Sequence, residues 1–134
     1  MVKVYESAVL VIEYDKEHSS LTCVWSGFAS EKAYKEGIEA QSRLVKELGV
    51  VSIMVDARKQ GVLPFRYAEF SDKAVDEMIE SDLRYIVYVL PENVFSRQAI
   101  LDYKARNEGE RLVFRCFDSY EQAKRWRYQL FSLS

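Results

Sequence analysis

The sequence of 134 residues is poor in the residue types that usually build metal, cofactor and disulfide sites. It has two cysteines and one histidine, and His18 has no cysteine or acidic cluster at metal-ligand spacing beside it. Cys23 and Cys116 fall in predicted strands, where small buried side chains are expected. Because we find no secretory signal, we expect no disulfide. We therefore predict neither a metal nor a cofactor.

Glycine-rich and nucleophile motifs are also missing. The five glycines form no phosphate-binding loop, and no serine lies in a nucleophile elbow. The single histidine, His18, lies in a polar turn, where we interpret it as a solvated residue. The serines have no second histidine that could act as a base in a core site, which argues against a Ser/His hydrolase. We predict no catalytic residues.

Excess charge and long apolar runs are absent too. The formal net charge is −2 and the pI about 5.5, so nothing draws the chain to nucleic acid or anionic lipid. No stretch approaches the roughly 18 apolar residues of a membrane helix. With 49% hydrophobic and 30% charged residues, the composition is typical of a folded globule. We expect one cytoplasmic domain over residues 1–134.

The most informative segment that is present runs from Val50 to Arg58. It is almost continuously apolar until Asp56, as a strand covered on both faces requires. Helical periodicity on either side of it predicts strand–helix–strand units and a parallel sheet. Ligands and partners of such sheets use the crevice beyond the carboxyl ends of the strands. Asp56 and Arg58 would stand at that edge, either pairing with each other or lining the crevice.

The remaining pattern predicts an α/β fold in the order ββαβαβαβα. This is a single mixed sheet of about five strands, with an antiparallel opening hairpin, a parallel remainder and four helices. The predicted strands lie at 9–12, 21–26, 50–58, 83–90 and 112–116. The first two helices are predicted between Ser30 and Gly49 and from Pro64 to about Asp82. The third helix is predicted to end at Gly109, and the fourth to follow a capping box of Asp118 and Glu121.

Two groups of side chains are candidates for binding. Directly after the central strand come four large apolar residues, which either form an exposed interaction patch or fold under the loop: Val62, Leu63, Phe65 and Tyr67. Three of the nine tyrosines fall near the sheet and the third helix, where they either pack in the core or line a pocket for an amphipathic molecule: Tyr85, Tyr88 and Tyr103.

Three segments resemble the SpoIIAA-like branch of the STAS domains, of which anti-sigma-factor antagonists are typical. They are the end of the hairpin at 24–28, the strand at 53–58, and residues 116–126, which match the pattern F-D-x-x-E-x-A-x-x-W of that family's closing helix. The resemblance covers nearly the whole chain. It implies a STAS fold and a non-enzymatic regulatory module that binds a protein partner.

The chain departs from that family at the regulatory loop. Antagonists carry a phosphorylatable serine after the central strand, whereas residues 60–65 here contain no serine or threonine. The nearest hydroxyl is that of Ser71, inside the predicted helix. Because phosphorylation acts by adding charge at an interface, this loop is not expected to be switched in that way.

Three functions follow as hypotheses. The first is a STAS-like interaction module that docks an unidentified protein through residues 58–67, and the second is a carrier or sensor of a small apolar or lipid-like ligand. An enzyme would need Asp56 as a base, but Arg58 would lower its pKa. We also expect a homodimer to be feasible, because the first hairpin leaves a sheet edge.

Overall fold

A computed structural model describes residues 1–132. In this range the strands are β1 (Val2–Glu6), β2 (Leu10–Asp15), β3 (Ser20–Gly27), β4 (Ser52–Gln60), β5 (Tyr85–Val89) and β6 (Val113–Phe117). The helices are α1 (Glu31–Leu48), α2 (Ala68–Ile79), α3 (Val94–Asn107) and α4 (Tyr120–Ser132). The strands form one sheet in the order β1-β2-β3-β4-β5-β6. Neighbours from β1 to β3 pair in antiparallel fashion, and neighbours from β3 to β6 pair in parallel.

The mixed α/β sheet is confirmed, but the predicted number of about five strands is wrong. Within the described residues the sheet has six strands, because β1 pairs with β2 ahead of the predicted hairpin. The sequence signal of β1 is weak because Val2, Lys3 and Glu6 are all exposed. β1 therefore forms the sheet edge, and its register shifts between Lys3 and Tyr5, a kind of irregularity that disfavours pairing with another edge.

The two faces of the sheet are covered by different helices. Along β4, Ile53 and Val55 pack in the main core with residues of α1, α2 and α3. Met54 points the opposite way and packs in a second cluster with Ala123 of α4. Because strand side chains alternate between faces, this pattern makes β4 buried on both sides, as its apolar run predicts.

Helix α1 begins and ends where the sequence predicts. The Oγ of Ser30 accepts a hydrogen bond from the backbone N–H of Ala33 at 3.1 Å. Gly49 adopts the left-handed conformation with φ 61°. Inside the helix, Gly37 is required for close packing, because a Cβ there would lie 2.5 Å from Cη2 of Trp25.

Two predicted helix starts are wrong. The helix expected from Pro64 begins at Ala68, after a short 3-10 turn over Phe65–Tyr67, and it ends at Ile79. The cap expected from Asp118 is instead Ser119, whose Oγ accepts from the backbone N–H of Gln122 at 3.1 Å. Several residue types can serve as caps, so the sequence alone does not select between neighbours.

Candidate functional site

A cavity of about 410 Å³ lies between the sheet and helices α1, α2 and α3. It sits beyond the carboxyl ends of the parallel strands and takes walls from all three helices and from the β4–α2 loop. Its lining is mostly apolar and aromatic: Trp25, Tyr34, Ile38, Gln60, Val62, Leu63, Pro64, Phe65, Tyr67, Ala68, Ser71, Tyr88, Phe95, Gln98, Ala99, Ile100, Asp102, Tyr103 and Arg106.

Three tyrosines bring hydroxyl groups to the inner part of this cavity. Tyr88 comes from β5, Tyr103 from α3 and Tyr34 from α1. The rings of Tyr88 and Tyr103 meet edge to face, with centroids 6.1 Å apart. Burial raises the pKa of Tyr34 to about 12 and those of Tyr88 and Tyr103 well above the ordinary value. All three hydroxyls are therefore neutral near pH 7 and able to donate a hydrogen bond.

Other polar atoms of the wall are already engaged. The indole Nε1 of Trp25 donates to Oε1 of Gln41 at 2.9 Å, which explains why a glutamine belongs to the buried stripe of α1. The hydroxyl of Tyr67 donates to the carbonyl oxygen of Ala29 at 3.4 Å. These bonds fix two aromatic rings on the wall and leave fewer donors for a ligand.

The charged residues of the cavity lie at its outer end and pair with protein groups. The guanidinium of Arg106 donates to both carboxylate oxygens of Asp72, at 3.1 and 3.3 Å. The carboxylate of Asp102 accepts from Nε2 of Gln98 at 2.9 Å. The inner wall is therefore uncharged, while the charged residues at the rim are already hydrogen-bonded to neighbouring protein groups.

Exposed phenylalanines lie at the mouth and on the loop beside it. Phe65 is 91% exposed and Phe95 79% exposed, and both also line the cavity. Phe28, at 82% exposure, lies against Gly61 of the β4–α2 loop, where a Cβ would come within 2.6 Å of its ring. Large apolar side chains left in water at one place on a fold mark an interaction site.

The structure divides the predicted binding residues between two places. Val62, Leu63, Phe65 and Tyr67 all line the cavity, although Tyr67 is buried and Leu63 is packed against the core. Asp56 and Arg58 lie on the opposite face of the sheet, beside α4, where Arg58 stacks over the ring of Tyr120 at 5.5 Å. The expected grouping of an Asp/Arg pair with an apolar loop is therefore not formed.

Asp56 and Arg58 pair with each other. Oδ1 of Asp56 accepts from Nε of Arg58 at 2.9 Å and from its backbone N–H at 3.1 Å, and Oδ2 accepts from Nη2 at 2.7 Å. Burial alone would raise the pKa of Asp56, but these hydrogen bonds and the charge of Arg58 lower it below its ordinary value. A carboxylate held in this way is a weak proton acceptor.

His18 is not the solvated turn residue that the sequence suggested. Its Nδ1 lies 2.8 Å from Oδ2 of Asp15, and its ring packs on Tyr128 of α4 with centroids 4.6 Å apart. The contact between the His18 and Tyr128 rings joins the β2–β3 turn to the last helix. Within residues 1–132 no group of three or more His, Cys, Asp and Glu side chains could hold a metal ion.

Sequence reasoning found part of the cavity lining. The tyrosine set pointed to Tyr88 and Tyr103, whereas Tyr85 faces the other way and contacts Trp126. Side chains alternate between the two faces of a strand, so Tyr85 and Tyr88, which are three positions apart, are expected on opposite faces. The sequence alone could have predicted this difference. Trp25 and Phe95 were missed as lining residues, because a core position and a cavity wall give the same apolar periodicity.

Comparison with known proteins identifies the fold of the chain. No protein-family model and no curated protein matches the chain. The chain is similar to the crystal structure of an uncharacterized protein of the DUF3478 family with a SpoIIAA-like fold, from Shewanella loihica PV-4. The TM-score is 0.62 and the identity 13%, over 92% of this chain and 98% of that one. The predicted SpoIIAA-like fold is thus confirmed. Among the described residues, no helix has the length and apolar character needed to cross a membrane.

Proposed function

We propose that this protein is a non-enzymatic binding protein whose cavity holds a small, mainly apolar ligand. The observation that carries the proposal is the cavity of about 410 Å³ between the sheet and α1–α3. Its volume lies within the range of small-molecule sites, and its lining combines aromatic walls with a few polar groups, as such sites do.

The volume sets the size of the ligand. At about 30 Å³ for each non-hydrogen atom, the share of a water molecule in the liquid, the cavity holds about fourteen such atoms. A medium-chain hydrocarbon tail with a small polar head meets this limit. Methyl decanoate is a suitable probe.

The polar groups support binding rather than catalysis. The pKa of Asp56 is lowered by Arg58, and this pair lies on the face of the sheet away from the cavity. The tyrosine hydroxyls of the cavity have raised pKa values, so they stay protonated near neutral pH and do not act as bases there. The one carboxylate among the lining residues, Asp102, is exposed at the rim and accepts from Gln98, so the inner cavity is suited to holding and orienting a ligand.

Blocking the mouth tests this proposal. Ala99 is exposed on α3 and lines the cavity, so Ala99→Trp should fill the entrance. Ala105 is exposed on the same helix and does not line the cavity, which makes Ala105→Trp a matched control. We expect methyl decanoate to bind and to raise the melting temperature of the wild type and of Ala105→Trp, and to have little effect on Ala99→Trp. Equal responses from both variants, or no binding by the wild type, would overturn the proposal.

The exposed rim favours a second candidate, the docking of a protein partner. Phe65 and Phe95, which are 91% and 79% exposed, line the cavity, and Phe28, which is 82% exposed, lies against Gly61 of the neighbouring loop. Isolated exposed phenylalanines need no explanation, whereas several at one place are typical of an interface. This candidate corresponds to the interaction-module role that the resemblance implies.

A charge at the rim tests the second candidate. Phe65→Asp is a better variant than Leu63→Asp, because Leu63 packs against the core and its replacement would also weaken the fold. Val2→Asp, which places the same charge at the exposed sheet edge, is the control. Affinity capture from native lysate should lose specific proteins with Phe65→Asp alone. Identical recovery with both variants would exclude the rim as the interface.

A further inference from the structure

We infer that the cavity selects an uncharged ligand carrying a hydrogen-bond acceptor, such as an ester or a ketone, over a carboxylate with the same hydrocarbon tail. This inference rests on the proposed ligand-binding function and specifies the chemistry of the ligand head. It is carried by three features of the site: a free hydroxyl on the inner wall, charges at the rim that already have partners, and surroundings that disfavour negative charge.

The first feature is the hydroxyl of Tyr88. In the described part of the chain it makes no hydrogen bond, although Tyr88 lines the cavity and its ring is fixed by stacking on Phe114 at 5.4 Å. The neighbouring hydroxyl of Tyr103 makes only a long bond of 3.4 Å to the backbone oxygen of Ser71. Because Tyr88 lines the cavity, its hydroxyl is available to donate a hydrogen bond to an acceptor on the ligand.

The second feature is the pairing of the nearest cation. Arg106 is the only arginine or lysine among the lining residues, and its guanidinium binds both oxygens of Asp72. A ligand carboxylate would have to displace Asp72 from this two-bond arrangement and leave that carboxylate without its partner. A neutral head makes no such demand on Arg106.

The third feature is the effect of the surroundings on an anion. Besides burial, the pKa of Tyr103 is raised by the negative charges of Asp72 and Asp76, and Arg106 only partly opposes them. Burial also raises the pKa of Tyr34 from 10.0 to about 12. Both shifts have the same direction, which means that the site disfavours a phenolate. A carboxylate at the same depth meets the same desolvation and the same carboxylates.

Matched ligands test the inference on the full, unmodified chain. Methyl decanoate and decanoate share one tail and differ in the charge of the head. Titration calorimetry at neutral pH should give the ester an affinity at least about tenfold higher, because only the carboxylate has to lose the hydration of a full charge. Tyr88→Phe should weaken ester binding about fivefold through loss of one hydrogen bond. Tyr85→Phe is the control, because Tyr85 is on the same strand and faces Trp126 on the other side of the sheet.

The outcomes separate the two claims. If decanoate binds as tightly as the ester or more tightly, the inference is wrong while the ligand-binding function stands, and Arg106→Gln should then abolish the binding of decanoate. If neither compound binds, the proposed function fails and the inference with it. If Tyr88→Phe and Tyr85→Phe bind the ester equally, the role given to the Tyr88 hydroxyl is wrong. The comparison of the two heads on the wild type stands even where a variant fails to fold.

Discussion

The two faces of the sheet are packed in different ways. On the face covered by α1–α3, aromatic and aliphatic side chains enclose a cavity whose charged residues, Asp102 and Arg106, lie at its outer end. On the face covered by α4, an arginine is buried against the sheet. Arg127 of α4 is 1% exposed and donates to Oγ of Ser20 at 3.3 Å and to Oγ1 of Thr22 at 3.2 Å. Its other terminal nitrogen lies 3.8 Å from a carboxylate oxygen of Asp15.

This difference distinguishes the face that stabilises the fold from the face to which we assign binding. Arg127 engages Ser20, Thr22 and Asp15 beneath α4, although its Nε has no hydrogen-bond partner among the described residues. The cavity face instead keeps an open, mainly apolar volume bordered by exposed phenylalanines, and surfaces of that kind mark binding sites. We therefore assign structural work to the α4 face and binding to the other.

Removing Arg127 should break the α4 face most severely. Arg127→Ala removes the buried guanidinium that donates to Ser20 and Thr22 and lies near Asp15, and we expect a loss of about 3 kcal/mol in the free energy of unfolding. Arg125 is exposed on the same helix, so Arg125→Ala should change stability by about 0.5 kcal/mol at most. Urea unfolding of both variants checks this. Similar losses for the two would contradict a special role of Arg127.

Adding a methyl group at Gly37 should perturb the cavity face. Gly37→Ala drives a Cβ into the ring of Trp25, at a cost of about 1–3 kcal/mol, which outweighs a gain of about 1 kcal/mol in helix propensity. We expect a net loss of about 1 kcal/mol and weaker ligand binding, because Trp25 lines the cavity. Gly109→Ala is the control, since no atom lies within 4 Å of a Cβ built there. A stabilised Gly37→Ala variant would refute the close packing.

The smallest effect is expected at the Asp56–Arg58 pair. Asp56→Asn should cost about 0.5 kcal/mol near pH 7, because the Arg58 side chain is nearly half exposed and water screens the pair. The folded pKa of Asp56 is lowered, so this contribution is present above the unfolded value of about 3.9 and is lost as the pH falls through the folded value.

Unfolding of the wild type and Asp56→Asn over this acid range measures the difference directly. The gap between them should close on acidification, and methyl decanoate should bind both equally. A gap that widens with acid, or a loss of ligand binding in the variant, would place Asp56 in a different role.

The sequence predicts most of the fold because its signals are local. Ser30 and Gly49 bound α1, and the apolar run before Asp56 marks the central strand. β1 was missed because an exposed edge strand owes its pairing to β2 rather than to its own apolar pattern. The order of the elements along the chain follows from these local patterns, whereas the order of the strands within the sheet is not contained in them.

The site was less predictable for a physical reason. A residue such as Tyr88 packs on Phe114 on one side and borders empty space on the other, and its sequence context carries only the first fact. Asp56 and Arg58 follow the central strand closely, yet the alternation of side chains carries them to the α4 face. Knowing which strand ends are near each other does not specify the face on which a side chain emerges.

The central claim, that binding occurs on the cavity face, is tested most directly with the two tryptophans. Trp25 lines the cavity, and Trp126 packs against Tyr85 and Phe117 on the α4 face. Methyl decanoate is titrated into two variants. In Trp126→Phe the remaining tryptophan is Trp25, and in Trp25→Phe it is Trp126. We predict a saturable change in emission for Trp25 and none for Trp126. A change confined to Trp126, or equal for both, would contradict the account.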